Sequence, residues 1–168
     1  LYAVRYNMSA SYILKNDIDL SDWGNWEPIG GSRDNSFKGN FDGNNKSING
    51  MAIVIESDIY IYAGLFGYVN GCTIKNLNMI DFSVYAGGIV GYALDSKISK
   101  CTNSGIVSAI SESSYNNANA NAGGVVGYVS GSISISECTN SGSISATSSS
   151  RGAYIGGIVG YASADGLA

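Results

Sequence analysis

The chain has 168 residues, enough for one domain with a substantial core, and carries a formal net charge of −4 with only 13% charged side chains. Lysine and arginine are scattered, and a basic stripe able to neutralise several phosphates together is missing, which argues against nucleic-acid binding and against adhesion to anionic membranes. No apolar run approaches the ~20 residues that span a bilayer, and a chain without histidine has neither the Ser-His-Asp nor the Cys-His arrangement nor ordinary histidine-ligated zinc.

Twenty-three glycines against one proline, with many β-branched residues, point to tight turns between short strands. The chain starts at Leu1 without a charged and then apolar leader, so any export signal is expected to have been removed or to lie outside this stretch. In chain order, residues 1–7 suit one or two helical turns with Leu1, Val4 and Arg5 on one side. Tyr12-Ile13-Leu14 reads as a strand. Asp17, Asp19 and Asp22 follow closely; calcium needs six to eight oxygen ligands, of which three carboxylates supply only part. Structuring of the local loop is the favoured role, with calcium left open. Trp23 and Trp26 offer either a sugar-stacking platform or, for Trp26, an anchor. Residues 37–48 read as a hairpin-like stretch around Asp42-Gly43. Residues 1–60 together are expected to form an N-terminal cap and the first irregular coils, because a solenoid needs its open strand edge covered.

The remainder, 61–168, repeats. Gly64-Leu65-Phe66-Gly67-Tyr68 returns as Gly88-Ile89-Val90-Gly91-Tyr92, Gly124-Val125-Val126-Gly127-Tyr128 and Gly157-Ile158-Val159-Gly160-Tyr161. A second block reads Ile74-Lys75-Asn76-Leu77, Ile98-Ser99-Lys100-Cys101 and Ile135-Ser136-Glu137-Cys138; the last two continue identically as Thr-Asn-Ser-Gly. A third block closes each unit, as in Ile106-Val107-Ser108 and Ser143-Ile144-Ser145. Strands this short bury no face within one unit, so units must stack with equivalent strands paired in parallel, about 4.8 Å per layer. The expected fold is an all-β, right-handed parallel β-helix, the hand following the chirality of parallel crossovers. Its repeats stop in mid-unit and are expected to continue beyond the C-terminus of this stretch.

Stacking makes neighbours of equivalent residues. Tyr68, Tyr92, Tyr128 and Tyr161 become a ladder, structural if covered and suited to carbohydrate if exposed. Lys100 faces Glu137, and Asn103 and Asn140 form a turn ladder. Cys101 and Cys138 replace Leu77 as small buried hydrophobes, pointing the same way and poorly placed for a bridge. Cys72 aligns with Ser96 at a turn and is expected to be more exposed. Acids do not stack: Asp81 meets Gly105 and Asp95 meets Gly131, so the paired carboxylates of a polysaccharide-active enzyme are missing. The later units exceed the first at one place, by inserts at 112–121 and 147–154, rich in Ser, Asn and Ala. Inserts on one edge commonly make the binding face of repeat proteins. Tyr115, Asn116, Asn117, Asn119, Arg151 and Tyr154 are the candidate contact residues.

The Gly-Gly-Ile-Val-Gly-Tyr strands resemble the GLUG motif of bacterial surface proteins and of the non-catalytic part of some immunoglobulin A proteases. The opening blocks Tyr12 to Leu20, Trp26-Glu27-Pro28-Ile29-Gly30 and Phe37 to Asn44 follow the usual order of such domains. The resemblance implies an exported, secreted or surface-attached bacterial β-helix. It does not imply proteolysis, since the zinc peptidase signature needs two histidines. The expected function is therefore a non-catalytic adhesion or display module, without cofactor or metal. Its expected partners are a host or environmental glycan or protein and other domains of the same chain. The alternatives are a structural spacer for an attached domain and, third, a polysaccharide-active β-helix.

Overall fold

The computed structural model describes residues 1–53, 62–80, 83–84, 87–111, 119–149 and 152–163. They build an all-β parallel solenoid of about four turns, as the repeat requires. Every strand pair among the described residues is parallel.

One face stacks β4 (Phe66–Asn70), β7 (Val90–Leu94), β12 (Val126–Ser130) and β17 (Val159–Ala162). The chain then turns into a second face. There β1 (Ser11–Ile13), the start of β3 (Asn40–Asn49) and of β5 (Thr73–Ile80), β8 (Lys97–Ser99) and β13 (Ser134–Ser136) lie in register. Past a corner, β2 (Ile18–Asp19), the rest of β3 and β5, β9 (Thr102–Asn103) and β14 (Thr139–Asn140) continue the same sheet. The return path runs through β6 (Ser83–Val84), β10 (Ile106–Ser111) and β15 (Ile144–Ser148), then through β11 (Ala120–Gly123) and β16 (Ala153–Gly156).

A single left-handed residue makes the corner between the second and third segments. Asn76, Lys100 and Glu137 hold φ of 53°, 52° and 52° in successive layers. Asparagine tolerates this region; lysine and glutamate adopt it at a cost of ~1–2 kcal/mol each. The next residue, Leu77, Cys101 or Cys138, turns into the core. Lys100 and Glu137 meet across the layers at 3.9 Å, as the repeat alignment anticipates. Both side chains are solvated, so this pair contributes little.

The N-terminal expectations divide. A 3-10 helix, η1 (Tyr2–Tyr6), forms with Val4 buried beneath it, and β1 matches the expected strand. The hairpin does not exist. Residues 40–49 are one strand that pairs in parallel with β1 and β2 on one side and with β5 on the other. Asn44 and Asn45, at φ 52° and 57°, bend the chain round the corner instead of reversing it, and the register slips between Asp42 and Lys46. Gly43 serves a different need from a hairpin turn: a Cβ there would lie 2.6 Å from the Leu77 Cα in the layer above.

Large side chains fill the first coils and small ones the later coils. Trp26, Ile29, Phe37, Phe41 and Phe66 are wholly buried, with the Phe66 ring centroid 4.9 Å from Phe37 and 5.2 Å from Phe41. Ala120, Ala122, Val125 and Val126 occupy the later core. In the last described layer Ile135, Cys138, Ile144, Ile158 and Val159 are only partly covered, because no described strand stacks beyond them.

Candidate functional site

The glycine–tyrosine strands set the geometry of the rod. The first glycine of each Gly-Gly pair and the glycine before tyrosine lie where two backbones cross. A Cβ on Gly87 would meet the Val90 carbonyl and stand 2.6 Å from the Gly127 nitrogen; one on Gly91 would stand 2.6 Å from the Tyr62 carbonyl carbon. Only a residue without a side chain permits that approach.

Past these crossings the tyrosines stack. Ring centroids are 4.5, 4.8 and 5.2 Å apart along Tyr68, Tyr92, Tyr128 and Tyr161, with interplanar angles of 13°, 10° and 28°. Tyr68 is buried and the other three are half-covered. Burial, reinforced by the neighbouring Tyr92, pushes the Tyr68 phenol up to about 12. Because each ring face is spent on the next ring, the ladder presents edges rather than faces. It is a structural spine and a poor sugar platform.

The asparagine ladder is equally internal. Asn103 Nδ2 donates to Asn140 Oδ1 at 2.6 Å, while Asn103 Oδ1 accepts from the Gly105 nitrogen at 2.8 Å. Asn103 is buried, so these bonds satisfy groups that water does not reach. Asp95 accepts from the Ser132 nitrogen at 2.8 Å, beside Gly131 of the next layer. Asp17 accepts from the Ser47 nitrogen at 2.8 Å, and Asp19 from the nitrogen and hydroxyl of Ser21 at 2.9 and 2.6 Å. Those two carboxylates therefore organise the loop. No group of three His, Cys, Asp or Glu side chains able to hold a metal occurs among the described residues.

The cysteines are free thiols. Cys101 is buried and Cys138, in the outer layer, half-buried. A hydrogen bond from the Cys101 thiol favours the Cys138 thiolate and lowers its pKa, and the same pairing raises that of Cys101. Cys72 corrects the sequence expectation. It is buried, as is the aligned Ser96, whose hydroxyl accepts from the Cys72 nitrogen at 3.2 Å: this turn folds under the layers, which alignment to a serine does not reveal. Burial pushes the Cys72 thiol up to about 11. A group whose folded pKa is raised stabilises the fold below its unfolded value and loses that contribution as pH climbs through the folded value. The urea midpoint is therefore expected to fall between pH 9 and 11 more steeply for the native chain than for Cys72→Ala. Parallel curves for the two would contradict this placement.

The two inserts leave from equivalent places. β10 pairs with β15 and β11 with β16, residue for residue, so the segments joining them depart from and return to the same positions in adjacent layers. Tyr115, Asn116, Asn117 and Arg151 lie outside the described residues. Asn119 is exposed where its insert re-enters β11. Tyr154 sits on β16 with its ring edge-on to Tyr161, centroids 4.8 Å apart.

Residues 82–108 match the family model of the GLUG motif. That GLUG segment runs from the end of one layer through β7, β8 and β9 into β10, one full turn of the solenoid. A crystal structure from Bacteroides ovatus described as "a putative immunoglobulin A1 protease" shares the fold, with TM-score 0.64 and 23% identity over 93% of this chain and 56% of that one. The chain thus spans just over half the length of that structure. No curated protein matches the sequence.

The sequence offered Trp23 and Trp26 as a sugar-stacking platform, but Trp26 is buried and the exposed neighbours of Trp23 were missed. Tyr2 and Tyr6 are exposed, with the Tyr2 ring beside both Tyr6 and Trp23 and Arg5 over the Tyr2 ring. The available signal was the spacing of Tyr2 and Tyr6, about one helical turn apart, followed by Trp23 in the next loop.

Proposed function

We propose that the chain is a non-catalytic adhesion or display module of an exported bacterial surface protein. Its ligand contacts lie on the two inserts, through Tyr115, Asn116, Asn117, Asn119, Arg151 and Tyr154. The observation that supports this reading is the in-register pairing of the strands that flank each insert, so that both inserts start and end at equivalent positions of adjacent layers. Two adjacent loops on a rigid support make a larger and better ordered contact surface than either alone. The GLUG segment and the fold shared with the Bacteroides ovatus structure support a surface setting. That structure's description as a protease suits a module attached to a peptidase; these residues, without histidine, are not the peptidase.

The ligand class is a glycan or protein of a host or of the surroundings. On arrays of glycans and extracellular proteins, the native chain is expected to bind a restricted set. The triple variant Tyr115→Ala, Arg151→Ala, Tyr154→Ala is expected to lose that binding while keeping its urea midpoint. Undiminished binding by the variant would move the contact elsewhere, and binding to nothing on either array would favour a spacer.

A further inference from the structure

Three aromatic rings stand in solvent at the N-terminal end, within reach of one another. Tyr2, Tyr6 and Trp23 are 46%, 80% and 54% exposed, and the Tyr2 ring lies 6.2 Å from each of the other two. They are held from below. Trp23 leans on the buried Trp26 at 6.0 Å, whose indole nitrogen donates to the Leu65 carbonyl at 3.3 Å. The Arg5 guanidinium lies 4.7 Å from the Tyr2 centroid and 4.4 Å from that of Trp26, and donates to the Glu27 carbonyl. Cation–π contacts and the tryptophan anchor hold Tyr2 and Trp23 in place before any ligand arrives, which lowers the entropy cost of binding.

The surroundings select the ligand. Asp22 is exposed and directly precedes Trp23, Asp19 is exposed at the end of β2 just before the same loop, and the exposed Glu27 is near enough to Arg5 to favour its charged form. Carboxylates at the rim accept hydrogen bonds from hydroxyl donors and repel anions. Tyrosine and tryptophan supply apolar faces with a polar edge, suited to a ligand that alternates C–H faces with hydroxyls. Acidic glycans and phosphate-bearing polymers meet repulsion instead. We infer that Tyr2, Tyr6 and Trp23 form a carbohydrate-binding site for neutral pyranose chains, stacked on Trp23 and bordered by Asp22 and Glu27. This site is distinct from the inserts and stands whether or not they bind.

Of the two tryptophans only Trp23 is exposed, so a shift in emission on binding reports on Trp23 against the constant background of the buried Trp26. Titration with cello-, xylo- or manno-hexaose is expected to shift Trp23 emission to the blue for at least one of the three. Trp23→Ala is expected to abolish the shift and weaken retention on the matching immobilised polysaccharide about tenfold; Tyr6→Ala weakens it less. Trp23 and Tyr6 are exposed, so both variants should keep the native urea midpoint. The insert variant Tyr115→Ala, Arg151→Ala is expected to bind the hexaose like the native chain, which separates this site from the one proposed above. The inference is overturned if no neutral hexaose binds at millimolar concentration or if retention survives Trp23→Ala. It is also overturned if oligogalacturonate or sialyllactose binds as tightly, or if a proline-rich peptide produces the same Trp23-dependent shift.

Discussion

Gly91→Ala is expected to destabilise the chain by about 3 kcal/mol or more, at or beyond the upper end of ordinary overpacking. The added methyl would stand 2.6 Å from the Tyr62 carbonyl carbon and 2.7 Å from the Ala63 nitrogen. Both are backbone atoms of the segment that leads into the preceding layer. No rotamer change relieves the clash; the two strands must separate, which breaks the spacing on which parallel pairing above and below depends. The equivalent Gly160 is confined in the same way, with the Gly127 oxygen 2.7 Å from its virtual Cβ. Gly157 supplies the control. It belongs to the same motif but has nothing within 4 Å, so Gly157→Ala is expected to stay within about 1 kcal/mol of the native chain. Urea denaturation of both variants checks the pair. Equal effects would refute the crossing as the reason for the glycine.

Phe66→Ala is expected to cost about 3–5 kcal/mol, through lost transfer free energy and the cavity left behind. Phe66 is wholly buried. Its ring fills the space between Phe37 and Phe41, and its backbone pairs with Ile29 on one side and Val90 on the other. It therefore joins the irregular first coils to the regular repeats, and its loss is felt in both. Against a total stability of about 5–15 kcal/mol, such a loss leaves a marginal fold. Ile155→Ala, in the last described layer, removes a side chain that is 57% exposed and is expected to change the urea midpoint by well under half as much. A small Phe66 effect would mean that the first coils and the repeats are not one cooperative unit.

The regular part of this fold was legible because a solenoid turns sequence alignment into spatial contact. Lys100 over Glu137, Asn103 over Asn140 and the four-tyrosine ladder were all read from equivalent positions, and each lies where the repeat puts it. The irregular coils were harder. Asp42-Gly43 has the composition of a hairpin turn, yet Gly43 is small because the next layer lies against it, and the bend comes from Asn44 and Asn45. Local chemistry could not separate those two uses of a glycine. Cys72 was misread for a related reason: alignment with a serine suggests solvent, whereas both positions are tucked beneath the layers.

By itself the sequence determined the period, the parallel register and the exclusion of histidine-dependent chemistry, since those follow from residue identity and spacing. Burial was decided by the tertiary structure. Ala122 and Ile155 share one place in consecutive layers, and one is sealed while the other is open, because coverage depends on what stacks above and no residue encodes that alone. The aromatic cluster at Tyr2, Tyr6 and Trp23 arose in the same way: Trp23 stood out in the sequence as a stacking residue, but the helical turn that sets Tyr2 beside it was brought there by the packing of Trp26 and Arg5.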